Sequence, residues 1–253
     1  MSAENFIQVK HLIKKYGQNL VLKDISFHIN HGEIFGLWGA NGAGKSTLLS
    51  ILATVTRPTS GEIIIQGHNL LTHSSPIKKL IGLVPQEIAL YTRLSGLDNL
   101  NFWGNVYGLK GKVLQQRIEE TLDIVGLRER ITDPVESYSG GMQRRLNIAV
   151  TLLHHPEILI MDEPTTGVDV QSRQDILKTV KQLSSQGCTI IYTSHYLEEL
   201  EWLCDRLAIL QGGMLQAVGT PDELKSYLAG QKIQWEYKVP TIKVKERDEW
   251  RQI

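Results

Sequence analysis

The first thirty residues carry apolar and polar positions in near alternation over Ile7–Ile13 and again over Leu22–Ile29, the period of half-buried strands. After Gly32 the pattern changes to an unbroken apolar run, Ile34-Phe35-Gly36-Leu37-Trp38, as expected of a strand covered on both faces. A glycine-rich loop follows, and Ser46–Ala53 reads as the helix leaving it. Gly61–Gln66 predicts another strand, with Gly67 as its stop, and Ile81–Val84 a short one ending at Pro85. Between Gln86 and Tyr138 the pattern turns helical. Ser95-Gly96-Leu97-Asp98 has the form of a capping box with Asp in the acidic position, which starts a helix running to about Val106. Leu114, Ile118, Leu122 and Val125 are spaced for one face of a second helix. This stretch, about residues 87–140, reads as a small helical subdomain inserted into an α/β core.

From Ser139 a helix is predicted to about His154. A buried strand Ile158–Met161, an amphipathic helix Gln171–Ser185 and a buried strand Thr189–Thr193 follow. Strands alternating with helices imply a mostly parallel sheet. Gly212-Gly213, between Arg206–Gln211 and Met214–Val218, is a two-residue hairpin signal. Thr220-Pro221-Asp222-Glu223 is a helix start with a Thr cap, Pro at the first position and acids in the first turn. Beyond Gly230, Ile233, Trp235, Tyr237 and Val239 alternate with polar residues up to Pro240, which suggests a C-terminal appendage over 230–253, β in character or partner-dependent. The fold expected is α/β: a mostly parallel nucleotide-binding core, an N-terminal antiparallel β subdomain and the inserted helical subdomain, together residues 1–229.

Composition narrows the function without deciding it. The 253 residues hold 27 basic and 27 acidic side chains, so no net basic field points to nucleic acid. No apolar run approaches the roughly 20 residues that cross a bilayer, and Met1-Ser2-Ala3-Glu4-Asn5 has neither the basic nor the apolar region of a signal peptide. Membrane work would therefore require a partner. Cys188 and Cys204 form no C-x-x-C pair and read as reduced thiols. His28, His31, His154 and His155 fit no metal spacing and read as surface or capping residues.

The chemistry sits in two places. Gly39-Ala40-Asn41-Gly42-Ala43-Gly44-Lys45-Ser46 matches G-x-x-x-x-G-K-[S/T] between a strand and a helix. Its glycines let the backbone approach phosphates, and its N–H groups and the helix N-terminus face the anion. Lys45 is placed to reach the β- and γ-phosphates, Ser46 to bind Mg²⁺, and Thr47 to add a hydroxyl contact. At the end of a buried strand, Asp162 is a candidate for holding Mg²⁺ and Glu163 for polarising a water.

With these residues and five further motifs in order, the chain resembles the ATP-binding cassette (ABC) ATPases over about Phe6 to Leu228. The resemblance implies that Tyr16 stacks on adenine, that Gly39–Thr47 is the Walker A loop, and that Gln86 is the Q-loop glutamine, which contacts nucleotide and Mg²⁺. It further implies that Tyr138-Ser139-Gly140-Gly141-Met142 is the signature motif, that Asp162 and Glu163 are the Walker B acids, that Asp169 is the D-loop aspartate, and that His195 is the switch histidine beside the γ-phosphate. Met142 stands where Gln is more usual and Tyr138 where Leu is common; this form, with Arg144-Arg145, is similar to drug-resistance, exporter-type cassettes. The resemblance implies a site split between two chains. Lys45, Asp162, Glu163, Gln86 and His195 would come from one, and Ser139, Gly140 and Gly141 from a second cassette, a second copy being the simplest choice. It also implies a separate transmembrane permease and a place on the cytoplasmic face of the membrane. The groove with Tyr91, Leu94, Phe102 and Trp103 is the expected docking site, the alternative being that these side chains are core of the helical subdomain. A soluble, non-transport ABC ATPase and a non-catalytic nucleotide-binding regulator are the competing classes. The cargo is not legible.

Overall fold

The computed structural model describes residues 5–230, so the C-terminal appendage expected over 230–253 lies outside the described residues apart from Gly230. An antiparallel hairpin comes first, β1 (Ile7–Tyr16) paired with β2 (Asn19–Ile29). β3 (Ile34–Trp38) leads into α1 (Lys45–Leu52). β4 (Ser60–Ile65) returns to pair with β1, and the two-residue β5 (His68–Asn69) pairs with β4. Then come α2 (Ser74–Leu80), β6 (Ile81–Val84), α3 (Gly96–Val106), α4 (Gly111–Val125) and α5 (Gly140–Leu152). The chain continues through β7 (Ile158–Asp162), α6 (Val170–Ser185), β8 (Thr189–Thr193), α7 (Leu197–Leu203), β9 (Arg206–Gln211), β10 (Met214–Gly219) and α8 (Pro221–Gly230).

Two sheets result. One is antiparallel, in the order β2-β1-β4-β5; the other runs β10-β9-β3-β8-β7-β6. In the second, β9, β3, β8, β7 and β6 are mutually parallel, and only the edge strand β10 is antiparallel to its neighbour. This is the P-loop α/β architecture with a β subdomain and helices that the pattern predicts.

The apolar runs of β3, β7 and β8 are sorted by the pleat into two cores. Ile34 and Trp38, Leu159 and Met161, and Ile190 and Tyr192 join the helices α4, α5 and α6 on one face. Phe35 and Leu37, Ile158 and Ile160, and Ile191 join α1 and the antiparallel sheet on the other. Alternate residues thus serve opposite cores, which is why the sequence shows continuous rather than alternating hydrophobicity.

The helical starts follow local chemistry. Ser95 Oγ accepts from Asp98 N at 3.0 Å while Asp98 Oδ2 accepts from Ser95 N at 3.3 Å, closing the predicted capping box of α3. Thr220 and Glu223 form the same reciprocal pair at α8, at 3.3 and 2.8 Å. At the β9–β10 turn Gly212 and Gly213 both have positive φ, 54° and 81°, as a primed hairpin turn requires.

Candidate functional site

The strands β3, β6, β7 and β8 run in one direction, and each ends in a segment bearing a candidate residue. Gly39 follows β3, Gln86 follows β6, Asp162-Glu163 closes β7 and His195 follows β8. Register fixes their relative height: Leu37 is opposite Thr193, and Thr193 is opposite Asp162. Ligand sites of open parallel sheets lie at the carboxyl ends of the strands, where loops diverge to opposite faces.

The loop after β3 is shaped by its glycines. Gly44 has φ 107°, and a Cβ there would also stand 2.7 Å from Leu22 Cδ2. A Cβ on Gly39 would stand 2.2 Å from the carbonyl oxygen of Leu210. Asn41, Gly42 and Ser46 are exposed, and Thr47 is half-buried. Lys45, only 5% exposed, donates to the carbonyls of Gly39 at 2.7 Å and Ala40 at 3.3 Å. Burial pulls its pKa down, and the nearby charges of Glu163 and Asp162 pull it back up.

Opposite Lys45 lies the acidic strand end. Thr193 Oγ1 donates to Asp162 Oδ1 at 2.8 Å and accepts from Glu163 N at 2.9 Å. Glu163 is 5% exposed, and its backbone sits in the left-handed region at φ 49°. His195 Nε2 lies 2.6 Å from Glu163 Oε1. Gln86 Nε2 donates to Glu163 Oε2 at 3.3 Å, and Thr166 Oγ1 to the same oxygen at 3.4 Å. A buried carboxylate is thus aimed by an amide, an imidazole and a hydroxyl, with a lysine in its field. Strain of this kind, about 1–3 kcal/mol at a non-glycine residue, collects at functional sites.

The structure therefore gathers Lys45, Asp162, Glu163, Gln86 and His195 around the phosphate loop, and it places Tyr16, the Ser139–Gly141 segment and Asp169 apart from them. Tyr16 is an exposed ring at the end of β1, with Lys14 Nζ 4.5 Å from its centroid. Ser139 is the N-cap of α5, its Oγ accepting from Met142 N at 3.2 Å, and both Ser139 and Gly140 are exposed. Gly141, the next residue of the segment, is buried against α6. A Cβ on it would stand 1.9 Å from Ser172 Oγ. Asp169 caps α6, accepting from Ser172 N at 2.9 Å and Ser172 Oγ at 2.7 Å. Those hydrogen bonds hold its carboxyl below the usual range.

Two residues of the site were given no role there by the sequence. Thr193 orients Asp162 and Glu163 and is legible only as a polar end to an apolar strand. Arg144, from α5, donates to the carbonyls of Pro85 at 2.7 Å and Gln86 at 2.6 Å, tying the signature helix to the Q-loop backbone. His154, expected to be a surface or capping residue, is half-buried: its ring packs on Tyr107 at 4.4 Å, Nε2 lies 3.1 Å from the Ile81 carbonyl, and burial depresses its pKa.

Comparison with known proteins decides the family. The ABC transporter family model matches residues 22–166. The chain belongs to the ABC transporter ATP-binding family. It is an ATP-binding, ATP-hydrolysing cassette. Over 227 residues it is 49% identical to the linearmycin resistance ATP-binding protein LnrL of Bacillus subtilis, covering 90% of this chain and 73% of that protein. It is 37% identical to the daunorubicin resistance ATP-binding protein DrrA3 of Streptomyces coeruleorubidus, covering 91% of this chain and 73% of the relative. Among solved structures it is similar to the dimeric, post-hydrolysis ATP-binding cassette MJ0796 bound to ADP and phosphate. That likeness has a TM-score of 0.76 at 26% identity, over 85% of this chain and 98% of the other.

Proposed function

We propose that this cassette is the motor subunit of an exporter. Two copies close around two ATP molecules on the cytoplasmic face of a membrane and drive a separate transmembrane subunit. One observation carries the reading. The cluster of Lys45, Asp162, Glu163, Gln86 and His195 is assembled within one chain, whereas Ser139 and Gly140 at the start of α5 are exposed, with Gly141 behind them packed against α6 of the same chain. An exposed helix N-terminus with a serine cap is suited to a phosphate offered by another chain. The resistance proteins among its relatives support export. Among the described residues no helix is long and apolar enough to cross a membrane, which fits a division of labour with a membrane subunit.

Lys45 balances phosphate charge from its place in the loop, and the N–H groups of the loop and of α1 orient the phosphates. Glu163, the buried carboxylate, accepts a proton from the attacking water, and His195, in contact with it, sets the carboxylate against the γ-phosphate. The oxygen donors Ser46, Gln86 and Asp162 suit Mg²⁺. When bound, Mg²⁺ supplies charge neutralisation of the β- and γ-phosphates.

Glu163→Gln removes the base and keeps the shape. In excess ATP and Mg²⁺ its turnover falls about 10²-fold or more, and the protein accumulates as a dimer in light scattering. A monomer with normal turnover overturns the reading.

The exposed rings of Tyr91 and Phe102, in edge contact at 4.9 Å, are the proposed docking surface for the membrane subunit. Trp103, grouped with them on sequence, packs against the helical core instead.

A further inference from the structure

Glu199, on the first turn of α7, belongs to none of the nucleotide motifs and is 5% exposed. A buried carboxylate is costly unless each oxygen is satisfied, so its partners show what it is for. Glu199 Oε2 accepts from Ser194 Oγ at 2.7 Å, Thr165 Oγ1 at 2.9 Å and Tyr192 OH at 3.3 Å. Oε1 lies 3.3 Å from Arg173 Nε, close enough for charge but without hydrogen-bond alignment. Beside the Glu199 charge, burial drives the Tyr192 phenol well above its usual range, so that hydroxyl stays a donor.

These partners come from three different segments of the site. Thr165 lies two residues after Glu163. Arg173 is in the first turn of α6, its N–H donating at 2.9 Å to the carbonyl of Asp169, the residue that caps the helix. Ser194 immediately precedes His195. Ser194 Oγ also accepts from Tyr196 N at 3.0 Å, and the Arg173 guanidinium lies 4.2 Å over the Tyr196 ring. His195 is thereby held from both sides, by Ser194 and Tyr196, and both holds lead to Glu199 or to its ion partner.

We infer that Glu199 is a positioning residue for ATP hydrolysis, which sets the reach of His195 to Glu163 and links it, through Arg173, to the α6 N-terminus that abuts the signature glycine Gly141. The three hydroxyl bonds fix one carboxylate oxygen, and the unaligned Arg173 contact leaves the other free to follow α6. This inference rests on the reading of His195 given above.

The test is a thermodynamic cycle on the full chain. Steady-state ATPase is measured for wild type, Glu199→Gln, His195→Ala and the double variant, with ATP binding followed separately. Glu199→Gln is expected to lower kcat about 10- to 100-fold, the scale of a small misplacement of a catalytic group, with KM for ATP within about two-fold. In the His195→Ala background it is expected to change nothing further, because the group it positions is gone. Should Glu199→Gln fail to fold, Ser194→Ala, which leaves the Thr165 and Arg173 contacts in place, gives the same pattern with a smaller loss. Normal turnover in Glu199→Gln with an inactive His195→Ala overturns the inference alone, as does an equal loss in both backgrounds or a loss carried by KM. Full activity of His195→Ala overturns the reading of His195, and the inference with it.

Discussion

His195 Nε2 stands 2.6 Å from Glu163 Oε1, at the ends of two adjacent parallel strands whose spacing the sheet itself sets. The contact is built before any partner chain contributes. His195→Ala should therefore reduce turnover by about 10²-fold or more while ATP still binds, since Lys45 and the phosphate loop are untouched. Phosphate release and fluorescent-nucleotide titration separate the two effects. A parallel loss of binding would show that the histidine serves affinity.

Gly141 has no room for a side chain. Replacing it with Ala puts a methyl group into Ser172, and overpacking of this kind costs about 1–3 kcal/mol, outweighing the gain of about 1 kcal/mol in helix propensity. Urea unfolding should show Gly141→Ala destabilised, and Gly141→Ala combined with Ser172→Gly should recover most of the loss. Failure of the double variant to recover would place the strain elsewhere.

Tyr91 and Phe102 are exposed rings, whereas Trp103 is half-buried in the helical core. Tyr91→Ala with Phe102→Ala should abolish co-purification with the proposed membrane subunit and leave the isolated chain's ATPase within about two-fold of wild type. Trp103→Ala should lower the melting temperature. Retained co-purification in the first variant would move the docking surface.

The cysteines should be silent. Burial pushes the Cys188 thiol up to about 12 and the Cys204 thiol well above its usual value. Since the thiolate is the nucleophile, at pH 8 only about one Cys188 in 10⁴ is reactive. Neither thiol should react with an aromatic disulfide reagent in the native protein, and both should react in urea; the reaction should become measurable only as pH rises toward the shifted value.

Much of the frame was legible because it is local. The runs at Ile34–Trp38, Ile158–Met161 and Thr189–Thr193 are strands, and the Ser95–Asp98 box and the Gly212-Gly213 turn are as their chemistry requires. α2 and α7 carry no comparable signal. Each is seven residues long, and α2 contains Pro76 and buries only Ile77. Phe102 and Trp103 were grouped as neighbours in sequence, but consecutive helical residues point about 100° apart, one outward and one into the core. The roles of Thr193, Arg144 and Glu199 were invisible for a different reason. Their roles depend on partners brought near only by the sheet, and no short pattern marks a threonine, an arginine or a glutamate as an organiser.

The left-handed backbone at Glu163 has an evolutionary consequence. A residue free to relax there, glycine or asparagine, would sit more comfortably in the same turn. At this position selection for turnover and selection for durability pull in opposite directions. Lineages that lose the need to hydrolyse ATP should lose this glutamate early, drifting toward sturdier, idle cassettes.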